Sequence, residues 1–218
     1  MINSFTALRR FALSSVVEPQ YGGFFQYLTI IGLLVSAFLM IVAAFNDLLP
    51  AVKALKTLKR GLMLFAMPVE IVVASIYWPL VLFAPSLMFP SKPVDSATEP
   101  SSQTADLLFR IPLWMDLSMH AVPALVLLLG KSFHTTVPRY FFFVERRYTR
   151  PSSTVGAASL AVSFGTVYSL WVEYCATING RFPYPFLNVM SPVQRVAMYV
   201  GSTIGALLTF WQLNALHR

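Results

Sequence analysis

An all-α, polytopic transmembrane helix bundle of about five spans is the fold this sequence predicts, on three observations. The chain of 218 residues is 56% hydrophobic and only 11% charged, far below the roughly 25% charged residues that clothe a soluble domain. Its apolar residues collect into runs of about the 20 residues needed to cross a bilayer. Its basic residues gather in the short connections between those runs, the pattern that fixes membrane topology. The formal net charge of +7 is therefore not read as a phosphate-binding face, and no nucleic-acid partner is expected. The single cysteine, Cys175, permits no intrachain disulfide, and no Cys/His cluster offers a zinc site.

Taken in order, residues 1–21 hold Arg9 and Arg10, then only the short apolar stretch Phe11-Ala12-Leu13 before Glu18 and Pro19. That is not the apolar core of a cleaved signal peptide. The segment is read as interfacial; its insertion would make a sixth span. Residues 22–216 are read as one transmembrane domain. The first span, 22–45, carries no charge. The second, 61–89, holds Glu70 with Pro68, Pro79 and Pro85, which are expected to kink or end the helix. The third, 111–130, contains Asp116 and His120 and is the weakest by hydropathy. The fourth, 154–178, holds Glu173, and the fifth, 196–216, is uncharged.

Lys53, Lys56, Lys59 and Arg60 sit at the first connection, and Lys131, Arg139, Arg146, Arg147 and Arg150 at the third. The second has only Lys92 and Arg110, the fourth only Arg181 and Arg195. The first and third connections and the C-terminus are thus expected in the cytosol, with the N-terminus outside. The stretch Pro90 to Asp106, rich in Ser, Pro, Thr and Asp, reads as a flexible non-cytosolic connection. There is no internal repeat, no inverted pair of broken helices and no separate soluble domain.

Ionisable groups at membrane depth are costly, so each is a functional candidate. They are Glu70, Asp116, His120 and Glu173, joined by Thr29 as a nucleophile. At about 1.5 Å of rise per residue, Thr29 lies roughly 10 Å and His120 roughly 13 Å in from the non-cytosolic side, with Glu173 roughly 8 Å short of it. Three helices thereby bring polar groups to one depth in one leaflet, while Glu70 falls nearer the midplane. Asp116 and His120, four apart, share a helix face, where a carboxylate can fix the imidazole tautomer. A histidine beside a hydroxyl has the makings of a nucleophile and its general base. Each feature also has a plain structural reading. A membrane threonine commonly bonds its own helix carbonyl, buried histidines and glutamates tie helices together, Cys175 reads as packing, and His134 in a basic loop reads as solvated.

Several motifs carry a resemblance: Tyr21-Gly22-Gly23 followed by Tyr27-Leu28-Thr29-Ile30 and Asn46-Asp47-Leu48; Trp114-Met115-Asp116-Leu117-Ser118-Met119-His120 followed by Val122-Pro123; and Leu170-Trp171-Val172, Gly180, Tyr184-Pro185-Phe186-Leu187, Ser191-Pro192 and Gly201-Ser202-Thr203. In this order, over roughly residues 18–205, the chain resembles the androgen-induced, or FAR-17a-like, membrane protein family. Characterised members are threonine hydrolases of fatty acid esters of hydroxy fatty acids. By position in the motifs, the resemblance implies Thr29 as the catalytic threonine and His120 as the catalytic histidine. The chain departs from the animal pattern in three ways. It lacks their additional apolar helix before Tyr-Gly-Gly, it has Asp116-Leu117 where they have an Asn-His pair, and its third connection is longer and carries Tyr140-Phe141-Phe142-Phe143.

Residues and resemblance together predict an intramembrane lipid ester hydrolase. Thr29 attacks, His120 transfers protons, Asp116 orients His120, and Glu70 and Glu173 support the site. Tyr184 or a backbone amide is the candidate oxyanion donor, and a basic residue at the pocket mouth would hold a fatty-acid carboxylate. No metal or organic cofactor is expected; the partners are a lipid substrate and bilayer lipids. The expected location is the endoplasmic reticulum, with the plasma membrane as alternative. Two other classes compete: a small proton-coupled carrier with an acidic and histidine relay, and a non-catalytic membrane adaptor.

Overall fold

The computed structural model describes residues 17–89, 111–129 and 147–216. Much of the N-terminal segment, the connection Pro90 to Asp106, His134 and the run Tyr140–Phe143 lie outside the described residues. Among the described residues the chain is helical, without strands: α1 Leu28–Leu48, α2 Lys53–Phe83, α3 Leu113–His120, α4 Val122–Leu129, α5 Ala157–Asn179, the short α6 Pro185–Asn188 and α7 Pro192–Leu216. Four of these stretches, 28–48, 53–83, 152–179 and 192–215, are long and apolar enough to cross a membrane.

The third expected span is a shorter apolar stretch, broken between α3 and α4 at Ala121 (φ −115°, ψ −49°). Pro123 explains the break, because it has no N–H for the carbonyl four residues back and its ring crowds that turn. Pro68 and Pro79 are accommodated inside α2, whereas Pro85 opens a separate 3₁₀ turn, Pro85–Leu87.

Two expected boundaries are corrected. The first helix begins at Leu28, not Gly22, because Gly22 (φ +83°) and Gly23 (φ +47°) are left-handed and cannot continue a right-handed helix. A 3₁₀ turn, Gly23–Gln26, and an extended Tyr27 intervene. Apolarity alone did not separate that aromatic and glycine-rich turn from the helix. The cluster Lys53 to Arg60 is likewise not loop but the opening two turns of α2, where a flanking charge serves topology equally well.

The exterior is apolar, and several polar side chains are buried beside the hydrophobic core. Large side chains such as Phe38, Ile41 and Phe45 on α1 and Val196, Val200 and Ile204 on α7 are exposed, while Gln26, Ser36, Asn46, Glu70, Asp116 and His120 are buried. Apolar rims at helical spacing around a polar interior suit lipid solvent. With little hydrophobic drive between helices in lipid, close approach and hydrogen bonds hold the bundle. The α1–α2 hairpin shows both: Gly32 lets α2 come so near that an added Cβ would lie 3.1 Å from Glu70 Oε1, and Ser36 Oγ donates to Glu70 Oε1 at 2.7 Å. Leu39, Met63, Met67, Leu127 and Phe210 pack one end of the bundle. There Tyr148 is pinned by its hydroxyl to the Arg60 carbonyl (2.7 Å) and by paired bonds to Asn214.

At the other end, the turn preceding α1 is latched to α5. Tyr21 N–H donates to Asn179 Oδ1 (2.8 Å), Trp171 Nε1 to the Phe25 carbonyl (3.1 Å), and the Tyr168 hydroxyl to the Gln26 carbonyl (2.9 Å). A Cβ on Gly22 would meet Cys175 Sγ at 2.9 Å and Trp171 Cζ2 at 3.1 Å, whereas one on Gly23 would meet open space. Gly22→Ala is therefore expected to lower the melting temperature of the detergent-solubilised protein more than Gly23→Ala does. The left-handed backbone alone costs roughly 1–2 kcal/mol at either position, so equal losses would show that the close packing against α5 contributes nothing.

Candidate functional site

The site forms where the start of α1 meets the end of α3. Thr29 is the second residue of α1, so it stands in the first turn rather than two turns into the helix as the depth argument had it. It is 7% exposed. The phenol of Tyr184, supplied by the turn between α5 and α6, reaches this helix end and accepts a hydrogen bond from the Leu28 N–H at 2.8 Å. The hydroxyls of Thr29 and Tyr168 also lie against it. Burial raises the Tyr184 phenol above its ordinary value, so it stands beside Thr29 with its proton in place. Tyr184→Phe leaves a buried amide without its acceptor, and such a loss costs about 1–3 kcal/mol. A fall in melting temperature for Tyr184→Phe, larger than for an exposed tyrosine such as Tyr174, is the expected result.

His120 closes α3 and is 4% exposed. Its Nδ1 lies 2.8 Å from Asp116 Oδ1 and 3.2 Å from the Asp116 carbonyl. The i,i+4 spacing on a helix permits this bond directly. A carboxylate and a carbonyl are both acceptors, so Nδ1 carries a hydrogen, and in the neutral ring the lone pair is on Nε2. The imidazole stacks on the Tyr77 ring of α2, with centroids 3.5 Å apart and planes within 5°. At the helix break, Trp78 Nε1 donates to the His120 carbonyl (3.4 Å). Among the described residues the Tyr77 hydroxyl is buried without a hydrogen-bond partner, with the Asp116 carboxyl close by.

Thr29 and His120 line one cavity of about 370 Å³, whose other walls include Tyr77, Tyr184, Phe24 and Arg181. A second, apolar cavity of about 150 Å³ runs between α2, α5 and α7 and shares Thr29, Tyr77, Met88 and Tyr184 with the first. Thr29 thus sits at the junction of the two.

Two candidates are not brought to this junction. Glu173 accepts from Arg195 Nε and Nη2 (2.8 and 3.2 Å) and from the Tyr199 hydroxyl (3.1 Å), and it lines neither cavity. Equal depth placed it with Thr29 and His120, but depth says nothing of the direction in which a side chain leaves its helix. Glu70, 1% exposed, is held between α1 and α2 by Ser36 and also lines neither cavity. Residues that sequence reasoning passed over are Tyr77, Tyr168 and Arg181. Tyr77 stands seven residues after Glu70, on the same buried face of α2; nothing else distinguished it from the other aromatics.

The arrangement defines a polytopic α-helical membrane protein in which a buried threonine and a buried, carboxyl-bonded histidine line one cavity. The family model for FAR-17a/AIG1-like proteins matches residues 1–218, and the chain belongs to that family. It is 29% identical over 202 residues to a UPF0641 membrane protein of Schizosaccharomyces pombe, covering 92% of this chain and 78% of that one. It is 24% identical over 210 residues to the human androgen-induced gene 1 protein, covering 88% and 76%. No solved structure matches the chain.

Proposed function

We propose that this protein is an intramembrane lipid ester hydrolase, of the kind that cleaves fatty acid esters of hydroxy fatty acids, with Thr29 as nucleophile and His120 as proton carrier. The observation that supports it best is the joint placement of Thr29 and His120 on one cavity, with the His120 Nδ1 side occupied by Asp116. Nε2 is then the basic nitrogen left for the cavity side. This is the division of labour that a hydroxyl nucleophile requires.

Thr29 Oγ adds to the ester carbonyl carbon while its proton passes to His120 Nε2. The tetrahedral oxyanion needs a hydrogen-bond donor; the Tyr184 phenol, which lies against Thr29, or a backbone amide takes that role in this reading. Collapse breaks the carbon–oxygen bond to the alcohol, which leaves with the Nε2 proton, and the acyl group stays on Thr29. Water then attacks the acyl-threonine. It gives one proton to Nε2, and Thr29 recovers that proton as the fatty acid departs. Asp116 holds the ring and balances the positive charge it carries between the two proton transfers.

In this reading the site opens toward the non-cytosolic side, since loop charge puts the α1–α2 connection and the C-terminus in the cytosol, and the endoplasmic reticulum is the membrane of choice. A fluorophosphonate hydrolase probe tests the chemistry on purified, detergent-solubilised protein, with the label mapped by mass. Label on Thr29 that is absent from Thr29→Ala and His120→Ala is the expected result. A folded wild-type protein that takes no label, and hydrolyses no lipid ester, removes the proposal.

A further inference from the structure

Two cavities of unlike chemistry meet at Thr29. The apolar one is bounded by α2 from Leu64 to Tyr77, α5 from Ala157 to Val172 and α7 from Met198 to Phe210. Thirteen residues of helix rise make it roughly 20 Å long. One leaflet of the hydrocarbon core is about 15 Å thick, so the lining is long enough to flank an acyl chain lying along it. Its lining is almost wholly apolar, and no charged side chain faces it.

The other cavity, beyond Thr29 and His120, is larger and mixed. Gln20, Ser86, Asn188 and Arg181 contribute to it. Arg181 is the one lysine or arginine among the residues lining either cavity. It stands just past Gly180, whose left-handed conformation (φ +69°) ends α5 and turns the chain back across the Tyr27 phenol, where the guanidinium charge is felt. Arg181 is exposed and makes no ion pair among the described residues. By contrast Arg195, the neighbouring cation, is committed to Glu173. An uncommitted guanidinium at the mouth of a cavity is suited to a carboxylate or phosphate.

We propose that the two cavities hold the two arms of one amphiphile: the acyl chain of the ester lies in the α2/α5/α7 groove, and the alcohol arm lies in the mixed cavity with an anionic end on Arg181. Arg181 is then a specificity-determining residue that selects anionic over neutral esters, and groove length sets the acyl chain. The assignment rests on the hydrolase reading only for the bond placed at Thr29; occupancy of the two cavities can be measured without any reaction.

The test is displacement of a fluorescent fatty acid from the full-length Thr29→Ala protein in detergent, where turnover is removed. The ligands are the oleoyl ester of a hydroxystearic acid, the methyl ester of that compound, and an oleoyl lysophosphatidic acid. The free carboxylate is expected to bind about tenfold more tightly than its methyl ester, and Arg181→Gln to erase the difference while leaving the methyl ester within about twofold. Arg181→Lys should keep part of the preference. Equal binding of the lysophosphatidic acid assigns the site to anions generally; weaker binding assigns it to carboxylates.

Ala161→Phe, which fills the groove part-way along α5, should weaken oleoyl esters about tenfold and spare short acyl esters. A preference that survives Arg181→Gln, no preference in the parent protein, or no binding at all overturns the proposal. So does a block at residue 161 that is relieved by shortening the hydroxy-acid chain instead of the acyl chain, since the arms would then be reversed. Turnover of the same compounds by the Thr29 protein is scored separately. The expected binding pattern without turnover keeps this inference and removes the hydrolase, whereas turnover without a carboxylate preference does the opposite.

Discussion

Thr29→Ala is expected to reduce lipid ester hydrolysis by at least a thousandfold in kcat, leaving a fold whose melting temperature is within a few degrees of the parent. On the proposed mechanism Thr29 is the nucleophile, and its removal leaves only the rate that binding and oxyanion stabilisation supply. The fold should survive because Thr29 belongs to the first turn of α1, where its hydroxyl lies against Tyr184 while the Leu28 amide bonds Tyr184 independently. His120→Ala should cost a similar factor, and the double variant little more than either alone, because in the proposed mechanism the two groups act as a unit. Thr29→Ser retains the hydroxyl and is expected to keep measurable turnover. Additive losses in the double variant would mean that Thr29 and His120 serve separate steps. Full activity in a folded Thr29→Ala protein would end the threonine mechanism.

The helices were legible because lipid imposes a length on them. The site was legible only in part, because a one-dimensional sequence gives depth but not azimuth. Asp116 and His120 were paired correctly, since both lie on one helix and spacing alone determines their contact. Glu173 shows the opposite case. Its neighbour Val172 is fully buried and lines the apolar groove, while Glu173, one residue on and about 100° around the helix, turns to Arg195 and Tyr199 on α7. Which way α5 is rotated is decided by packing against a partner 22 positions along the chain, and no local pattern encodes it. The start of α1 failed for another reason. Glycine and aromatic residues score as apolar, yet the Gly22-Gly23 pair specifies a left-handed turn, and that turn brings Thr29 to a helix end, within reach of Tyr184. Tyr77 was invisible because its significance lies in what it stands beside, and Arg181 was read for topology alone, since sequence does not say which cation reaches the cavity.

The second large effect is expected at Asp116, which does not itself face the ester. Asp116→Asn should lower kcat by roughly a hundredfold to ten-thousandfold while altering KM little, as is seen where an orienting carboxylate is exchanged for an amide. The reason is the bond from Asp116 Oδ1 to His120 Nδ1 at 2.8 Å. A carboxylate can only accept there, so it keeps a hydrogen on Nδ1, and the neutral ring then has its lone pair on Nε2. An amide can present its NH₂ group instead, which reverses the tautomer and moves the N–H to Nε2, and on the proposed mechanism it cannot balance the charge that the ring acquires in proton transfer. The stacked Tyr77 ring and the amide's own bond to Nδ1 would still hold the imidazole in place. The loss should therefore appear in kcat and in fluorophosphonate labelling rate, with ligand displacement by an ester unchanged. A variant that loses ligand binding in proportion to activity would show instead that Asp116 shapes the cavity, and that the imidazole needs no carboxylate to work.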